Sequence, residues 1–394
     1  MLSLSWEVRV LFLIADVSGN LHALERNPAA LTQSNFPRKL SETGLFKSVK
    51  KYIADPGLIP YEVNAALWSD GAFKDRFIAL PAGTRIDYTP TRGWNCPDGT
   101  VLVKTFSLET RQGDPSSRKR IETRLLTRTV GQWYGYSYLW DDAQDDATLV
   151  SAQGLDKDYE ISAPSGRQSQ RWHYPSRTEC MVCHSRAANY VLGLSEPQFN
   201  RVHDYNGIKA NQLDVLEELG VLRVNWTDDA RGKMKASLKR NGANEDDANK
   251  AADAAIKSSG RTGPQISPLL TSAPESRTKL VDPYDPYAPL NDRARSYLHA
   301  NCSVCHVKEG GGNALMEMEF SNSMAKTHLL ERPQHDKFGI ADPWLVSPGH
   351  PEQSVLLHRI STRGQGQMPP LATSVPDAQA IELIRKWISQ LKAE

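Results

Sequence analysis

No stretch of this 394-residue chain approaches the roughly 18 consecutive apolar residues needed to cross a bilayer, so a membrane-spanning helix is not expected. An excess of one charge is missing too. Forty-seven Lys and Arg stand against 46 Asp and Glu, a formal net of +1, which gives neither nucleic acid nor an anionic membrane the basic surplus that would attract it. A recognisable export leader is also lacking. Glu7 stands where a basic n-region belongs, Arg9 interrupts the apolar run Val8 to Ala15, and no small-residue cleavage site follows. Cysteine is scarce, with only five residues at positions 96, 180, 183, 302 and 305.

What is there is length and a pattern. With 39% apolar residues, a chain this long can bury two or three ordinary cores, and several domains are expected. Four of the five cysteines fall into two copies of Cys-x-x-Cys-His, at Cys180, Cys183 and His184 and again at Cys302, Cys305 and His306. Scattering the same residues at random yields roughly 0.002 such pentapeptides, so the pair is not a product of composition. Cys96, beside the turn residues Pro97, Asp98 and Gly99, reads as a small buried hydrophobe.

The chemistry of the repeated pentapeptide is specific. Two thiols separated by two residues reach one edge of a haem and add across its vinyl groups, and the next residue is an imidazole placed to bind the iron. A redox Cys-x-x-Cys or a zinc half-site needs no following His, and neither explains two copies. The cofactors expected are therefore two covalently attached haem c groups, held by Cys180, Cys183, Cys302 and Cys305, with His184 and His306 as proximal iron ligands. Covalent haem attachment takes place outside the cytoplasmic membrane, so a periplasmic or exported location is expected despite the missing leader, and the start is read as that of a truncated or split gene product.

For the second motif, Met368 in Gly366-Gln367-Met368-Pro369-Pro370 suits the distal position, because the prolines stiffen a non-helical segment just ahead of a closing helix. Met316, Met318 and Met324 are rivals. For the first motif the distal ligand is open. His203 and Met234 lie downstream, His173 upstream, and Lys74 or Lys104 could reach from the strand-rich region, with His203 the leading choice; an empty sixth position would permit small-molecule chemistry at iron.

Along the chain, Glu7 to Ala15, a turn at Asp16 to Asn20, and Leu21 to Glu25 read as strand, turn and strand, followed by a linker through Asn27 to Phe46. From about Tyr61 to Ile161, short β-prone runs alternate with Gly, Pro and Asp turns, which favours an antiparallel sandwich. The aromatic run Trp133 to Trp140 is read as core. After Arg177 the pattern turns helical, with Leu213, Leu216 and Leu219 on one face and Gly220 as a stop; residues 227 to 280 read as exposed helices and loop. Leu290, Ala294, Tyr297 and Leu298 lead an amphipathic helix into Cys302, whereas Arg171 to Arg177 ahead of Cys180 reads as extended or turning, with Pro175 as a stop. Ile381, Ile384, Ile388 and Leu391 close the chain. The fold class is thus α+β multidomain: an antiparallel β-sandwich-like domain followed by mainly α-helical haem regions. The boundaries expected are 1–36 (a hairpin), 37–165 (β-rich), 166–280 (first haem motif) and 281–394 (second haem motif, resembling a class I cytochrome c).

Four phrases, Lys39 to Phe46, Glu62 to Gly71, Tyr174 to Cys180 and Arg293 to Cys302, resemble a family of bacterial dihaem c-type cytochromes often fused behind a propeller similar to quinoprotein glucose and sorbosone dehydrogenases. Phe12 to Leu24 looks like the last fragment of such a propeller. The resemblance implies electron transfer from a quinoprotein sugar or alcohol dehydrogenase to a respiratory acceptor. Two other functions remain open on sequence grounds: a dihaem peroxidase-like oxidoreductase with one five-coordinate haem, and a carbohydrate- or partner-binding module with accessory haems.

Overall fold

The structure is a computed structural model and describes residues 12–15, 21–24, 36–89, 92–223, 226–258 and 277–392. The chain forms two compact units, Met1–Arg38 and Lys39–Glu394. In the first, β1 (Phe12–Ala15) pairs antiparallel with β2 (Leu21–Leu24), with Phe12 opposite Leu24 and Ala15 opposite Leu21. The expected hairpin is present; its turn and its outer ends lie outside the described residues.

The second unit opens with β3 (Phe46–Ser48) and β4 (Ile53–Ala54), then runs through β5 (Ile59–Pro60), β6 (Phe73–Ala79), β7 (Ile86–Asp87), β8 (Val101–Glu109), β9 (Arg118–Thr129), β10 (Gln132–Trp140) and β11 (Ala147–Leu149). Six of these make one antiparallel sheet in the order β11-β10-β9-β8-β6-β5. Local chemistry sets the register. Val130 and Gly131, at φ 49° and 73°, form the two-residue β9–β10 turn, whose twist matches the right-handed twist of paired strands. Leu102, Lys104 and Phe106 on β8 then stand opposite Leu126, Arg124 and Glu122 on β9, while Arg76 and Lys74 on β6 stand opposite Lys104 and Phe106. Directly opposed residues share a face, so this side of the sheet combines an apolar rim with a charged centre.

The antiparallel expectation holds, but the cover differs from a two-sheet sandwich. A two-stranded hairpin, β12 (Leu155–Ala163) with β13 (Gly166–Tyr174), packs Trp172 and Tyr174 against Phe106, Leu108 and Ile121. At the other end, Ile78, Leu102, Leu126 and Trp133 pack on Val191, Leu194, Phe199, Leu213 and Leu216 from the segment that follows the first motif. Fourteen-residue clusters of this kind rest on burial worth about 1.5–3 kcal/mol per large apolar side chain, which ties sheet and helices into one body. Trp133, Tyr138 and Trp140 are core, as expected, whereas Tyr134 is exposed.

That segment contains α1 (Arg177–Cys183), α2 (Glu196–Phe199), β14 (Val202–Tyr205), β15 (Ile208–Asn211), α3 (Gln212–Glu218) and β16 (Leu222–Arg223), the last pairing parallel with β7. Leu213 and Leu216 are buried, but Leu219 is 67% exposed, because the helix ends at Glu218 and Gly220 takes φ 67°. The polar helices α4 (Trp226–Arg240) and α5 (Glu245–Ser258) are joined by Arg231–Asp253 and Lys239–Glu245 ion pairs. Residues 259–276 of the expected polar region lie outside the described residues.

The C-terminal part contains α6 (Leu290–Asn301), α7 (Met324–Thr327), α8 (Val355–Ser361) and α9 (Ala378–Gln390). Ala294, Tyr297 and Leu298 of α6 meet Ile384, Trp387 and Ile388 of α9, so both amphipathic faces read from the sequence are buried against each other. Asp377 caps α9 by accepting from the Ala380 amide at 3.0 Å. Among the described residues no helix is long and apolar enough to cross a membrane.

Candidate cofactor site

The first motif is built on a turn-and-cap device. Ser176 accepts from the Glu179 amide, and Glu179 accepts from the Ser176 amide at 2.7 Å, a capping box that starts α1 immediately after Pro175. The motif therefore lies in a short capped helix, and ahead of it the strand ends at Tyr174 and the chain turns at Pro175, as the extended or turning reading of Arg171 to Arg177 expects. Cys180 and Cys183 sit one helical turn apart, and His184 caps the end. The His184 Nδ1–H donates to the Tyr190 carbonyl at 2.6 Å, which fixes the tautomer and leaves Nε2 as the ring's basic nitrogen. Burial, then the nearby charge of Lys104, pushes its pKa down to about 4, so the imidazole is neutral and able to bind metal.

These three residues line a cavity of about 140 Å³ that is partly open to solvent. Its other wall is the charged centre of the sheet, with Lys74, Arg76, Lys104 and Arg124. Arg124 pairs with buried Glu122 at 2.8 Å, and Trp172 donates to the same carboxylate at 2.8 Å. Burial works against the Arg124 charge, but Glu122 outweighs it and raises the pKa. Lys74 donates to the Leu67 carbonyl at 2.6 Å, and burial followed by the neighbouring Arg76 charge holds its pKa well below the usual lysine range. Lys104 is brought down to about 7 by burial and then by Arg76 and Arg124. One paired carboxylate among four basic groups leaves the wall short of negative charge, a costly arrangement inside a protein unless an anion completes it.

The second motif follows α6 directly. Cys302 caps the helix, the His306 amide donates to the Cys302 carbonyl at 2.9 Å, and His306 is only 7% exposed. Burial lowers the His306 pKa, with Arg359 adding to the effect and the Ala314 backbone opposing it. Its buried Nδ1 forms no hydrogen bond of standard geometry. Gly310 and Gly312 press on the motif: a Cβ at 310 would lie 2.1 Å from the Cys305 carbonyl oxygen, and one at 312 would lie 2.6 Å from His306 Nδ1. The donor set, two thiols and a neutral buried imidazole, thus fits a covalently held haem in both places.

Although 122 residues separate them in sequence (302 − 180), the motifs meet in space. The thiols of Cys183 and Cys305 come near enough to affect each other's titration, raising the first pKa and lowering the second. Ala300, Leu371 and Ala372, from either side of the second motif's own machinery, line the first motif's chamber. Among the described residues no group of three or more His, Cys, Asp or Glu side chains converges in the way a zinc centre requires.

Of the proposed distal ligands, Met368 lies in a half-buried loop pinned to α8, its amide donating to the Arg359 carbonyl at 3.0 Å while Arg359 Nε donates to the Gly366 carbonyl at 2.9 Å. Arg359 is also the residue whose charge reaches His306. Met318 is 1% exposed, Met316, Met318 and Met324 all pack in the α6–α9 core, and the Met324 sulfur accepts from Arg295 at 3.5 Å. His203 is not brought to the chamber. It stands on β14, 3.6 Å from Glu62 and edge-on to Tyr205. Met234 lies on α4 and is 39% exposed, while His173 reaches the chamber with both ring nitrogens engaged, by Asp156 at 2.6 Å and Glu179 at 3.1 Å. Lys74 and Lys104 do reach it. Cys96 is 2% exposed with its pKa pushed up to about 12 by burial, in keeping with an inert core thiol.

Sequence reasoning missed the supports. Trp68 donates from its amide to Asn301 at 2.7 Å and from its indole to the Val375 carbonyl at 2.8 Å, and Asp70 accepts from Ser374 and Val375, so Trp68 and Asp70 clamp the segments flanking the second motif. The Ser176-x-x-Glu179 spacing was a readable cap signal, and Gly135 inside an aromatic strand a readable sign of close approach. The chain matches no known family model, no curated protein and no solved structure.

Proposed function

We propose that the chain is an exported dihaem c-type cytochrome that passes electrons from a quinoprotein sugar or alcohol dehydrogenase to a respiratory acceptor. Haem bound in this way supplies reversible one-electron chemistry at iron. Cys180 and Cys183 hold one group with His184 as proximal ligand; Cys302 and Cys305 hold the other, with His306 proximal and Met368 distal. The observation that carries the reading is the meeting of the two motif regions, with Ala300, Leu371 and Ala372 lining the cavity of Cys180, Cys183 and His184 and with Cys305 neighbouring Cys183. Cys183 and Cys305 are both attachment sulfurs, so two groups bound there have neighbouring edges, and electron tunnelling falls steeply with edge separation. A carrier needs that adjacency between its entry and exit centres.

The protein's own residues tune the site. Tyr190 orients His184 by accepting its Nδ1 proton, the cationic sheet wall offers counter-charge to haem carboxylates, and Arg359 holds the loop that presents Met368. A pyridine haemochrome assay with intact-mass measurement, on protein made with a working c-type maturation system, is the direct test. Two covalent haems per chain are expected. A colourless chain with four free thiols ends the proposal.

A further inference from the structure

The chamber beside α1 contains several groups able to bind iron, and all but one are engaged. His173 spends both ring nitrogens on Asp156 and Glu179. Lys74 is committed to the Leu67 carbonyl at 2.6 Å, and Glu179 to the Ser176 amide at 2.7 Å. Tyr61 is 6% exposed and keeps its phenol proton, since burial raises its pKa to about 12. Lys104 differs. It lines the same chamber from the centre of β8, and among the described residues its amine has no hydrogen-bond or ion-pair partner. His184 lines that chamber too, from the end of α1. Half-buried and lining the chamber, that amine is available to a group bound there.

We propose that Lys104 is the distal ligand of the iron held by His184, an inference that rests on haem attachment at Cys180 and Cys183. The neutral amine donates its lone pair to iron, and the proton it sheds passes to solvent; no electron is transferred in the step. Lys104 thereby takes the place that sequence reasoning offered first to His203. It also makes the first centre six-coordinate, which suits electron transfer and closes the position that peroxide chemistry requires.

The test uses the fully matured chain and its Lys104→Ala and Lys104→Arg variants. Arginine keeps the charge and can still pair with a haem carboxylate, but it stays protonated and cannot ligate. Haem count is read by pyridine haemochrome, and spin state by electron paramagnetic resonance and by cyanide binding. In the parent chain both haems are expected to be low-spin. Each variant is expected to keep two haems and to convert one of them, from none to one per chain, into a high-spin, cyanide-binding centre. A high-spin haem in the parent chain overturns the assignment, as does a low-spin spectrum in Lys104→Ala or its restoration by Lys104→Arg. Fewer than two haems in the parent chain instead defeats the haem reading itself.

Discussion

Gly135 on β10 lies directly against Cys180 on α1: a Cβ at position 135 would stand 2.6 Å from the Cys180 Cβ and 2.7 Å from its Sγ. The sheet can approach the first motif this closely only because position 135 has no side chain. Gly135→Val should push α1 off the sheet, with overpacking of about 1–3 kcal/mol, and displace the sulfur from its attachment position. Haem content is expected to drop from two per chain toward one, with the survivor at Cys302 and Cys305. Undiminished loading of Cys180, read by peptide mass, would show that the contact does not matter.

Much of this arrangement is written locally and some is not. The amphipathic faces Leu290 to Leu298 and Ile381 to Ile388 announced α6 and α9, since 3.6-residue periodicity is an intrinsic property of the segment. The strand alternation from Val101 to Phe106 announced β8 in the same way. The two pentapeptides announced their own chemistry. What was not legible was the encounter between them, because the approach of Cys183 to Cys305 depends on how the β10–α1 and Trp68–Asn301 contacts fold the chain back. Lys104 was one of several distal-ligand candidates, on the mixed face with Leu102 and Phe106, and nothing local set it apart from the others. Only the cross-strand register, which puts Arg76 and Arg124 beside it, reveals a buried cationic wall.

Met368 gives the second prediction. Thioether ligation opposite His306 raises the reduction potential above that of a bis-nitrogen centre. Met368→Ala should lower the potential of one haem, leave the other in place, and remove the thioether-to-iron charge-transfer band. A redox titration superimposable on that of the parent chain would take Met368 out of the coordination sphere.

A pH dependence follows from His299, which is on α6 one turn before Cys302. Its Nδ1 accepts from the Phe320 amide at 3.1 Å, so the ring must be neutral there, and burial followed by the Arg295 charge pushes the pKa down to about 4. In an unfolded chain the value is about 6.5, so between the two values the unfolded chain binds more protons. Stability is therefore complete above about pH 6.5 and is lost as pH falls toward 4, by roughly 2 kcal/mol at about pH 5. His299→Gln retains an acceptor for Phe320 without a titrating group. Urea midpoints at the two pH values should diverge for the parent chain much more than for this variant; equal divergence would assign the acid sensitivity elsewhere.

Asp70 tests whether the β-rich part holds the haem loop in place. Its buried carboxylate accepts from the Thr373 hydroxyl at 2.8 Å, the Ser374 amide at 2.9 Å and the Val375 amide at 2.9 Å, while Trp68, two residues earlier, binds the Val375 carbonyl. This loop begins at Met368 and lines the chamber through Leu371 and Ala372, so one carboxylate serves both centres. Removing a charged acceptor from buried donors costs about 3 kcal/mol. Asp70→Ala should therefore lower thermal stability and weaken the bond between Met368 and iron, so that a ferric high-spin fraction grows on mild warming well before global unfolding. Asp70→Asn keeps one acceptor oxygen and should fall between the two. If the alanine variant melts earlier but its thioether band survives to the melting point, Asp70 supports the fold without positioning the ligand.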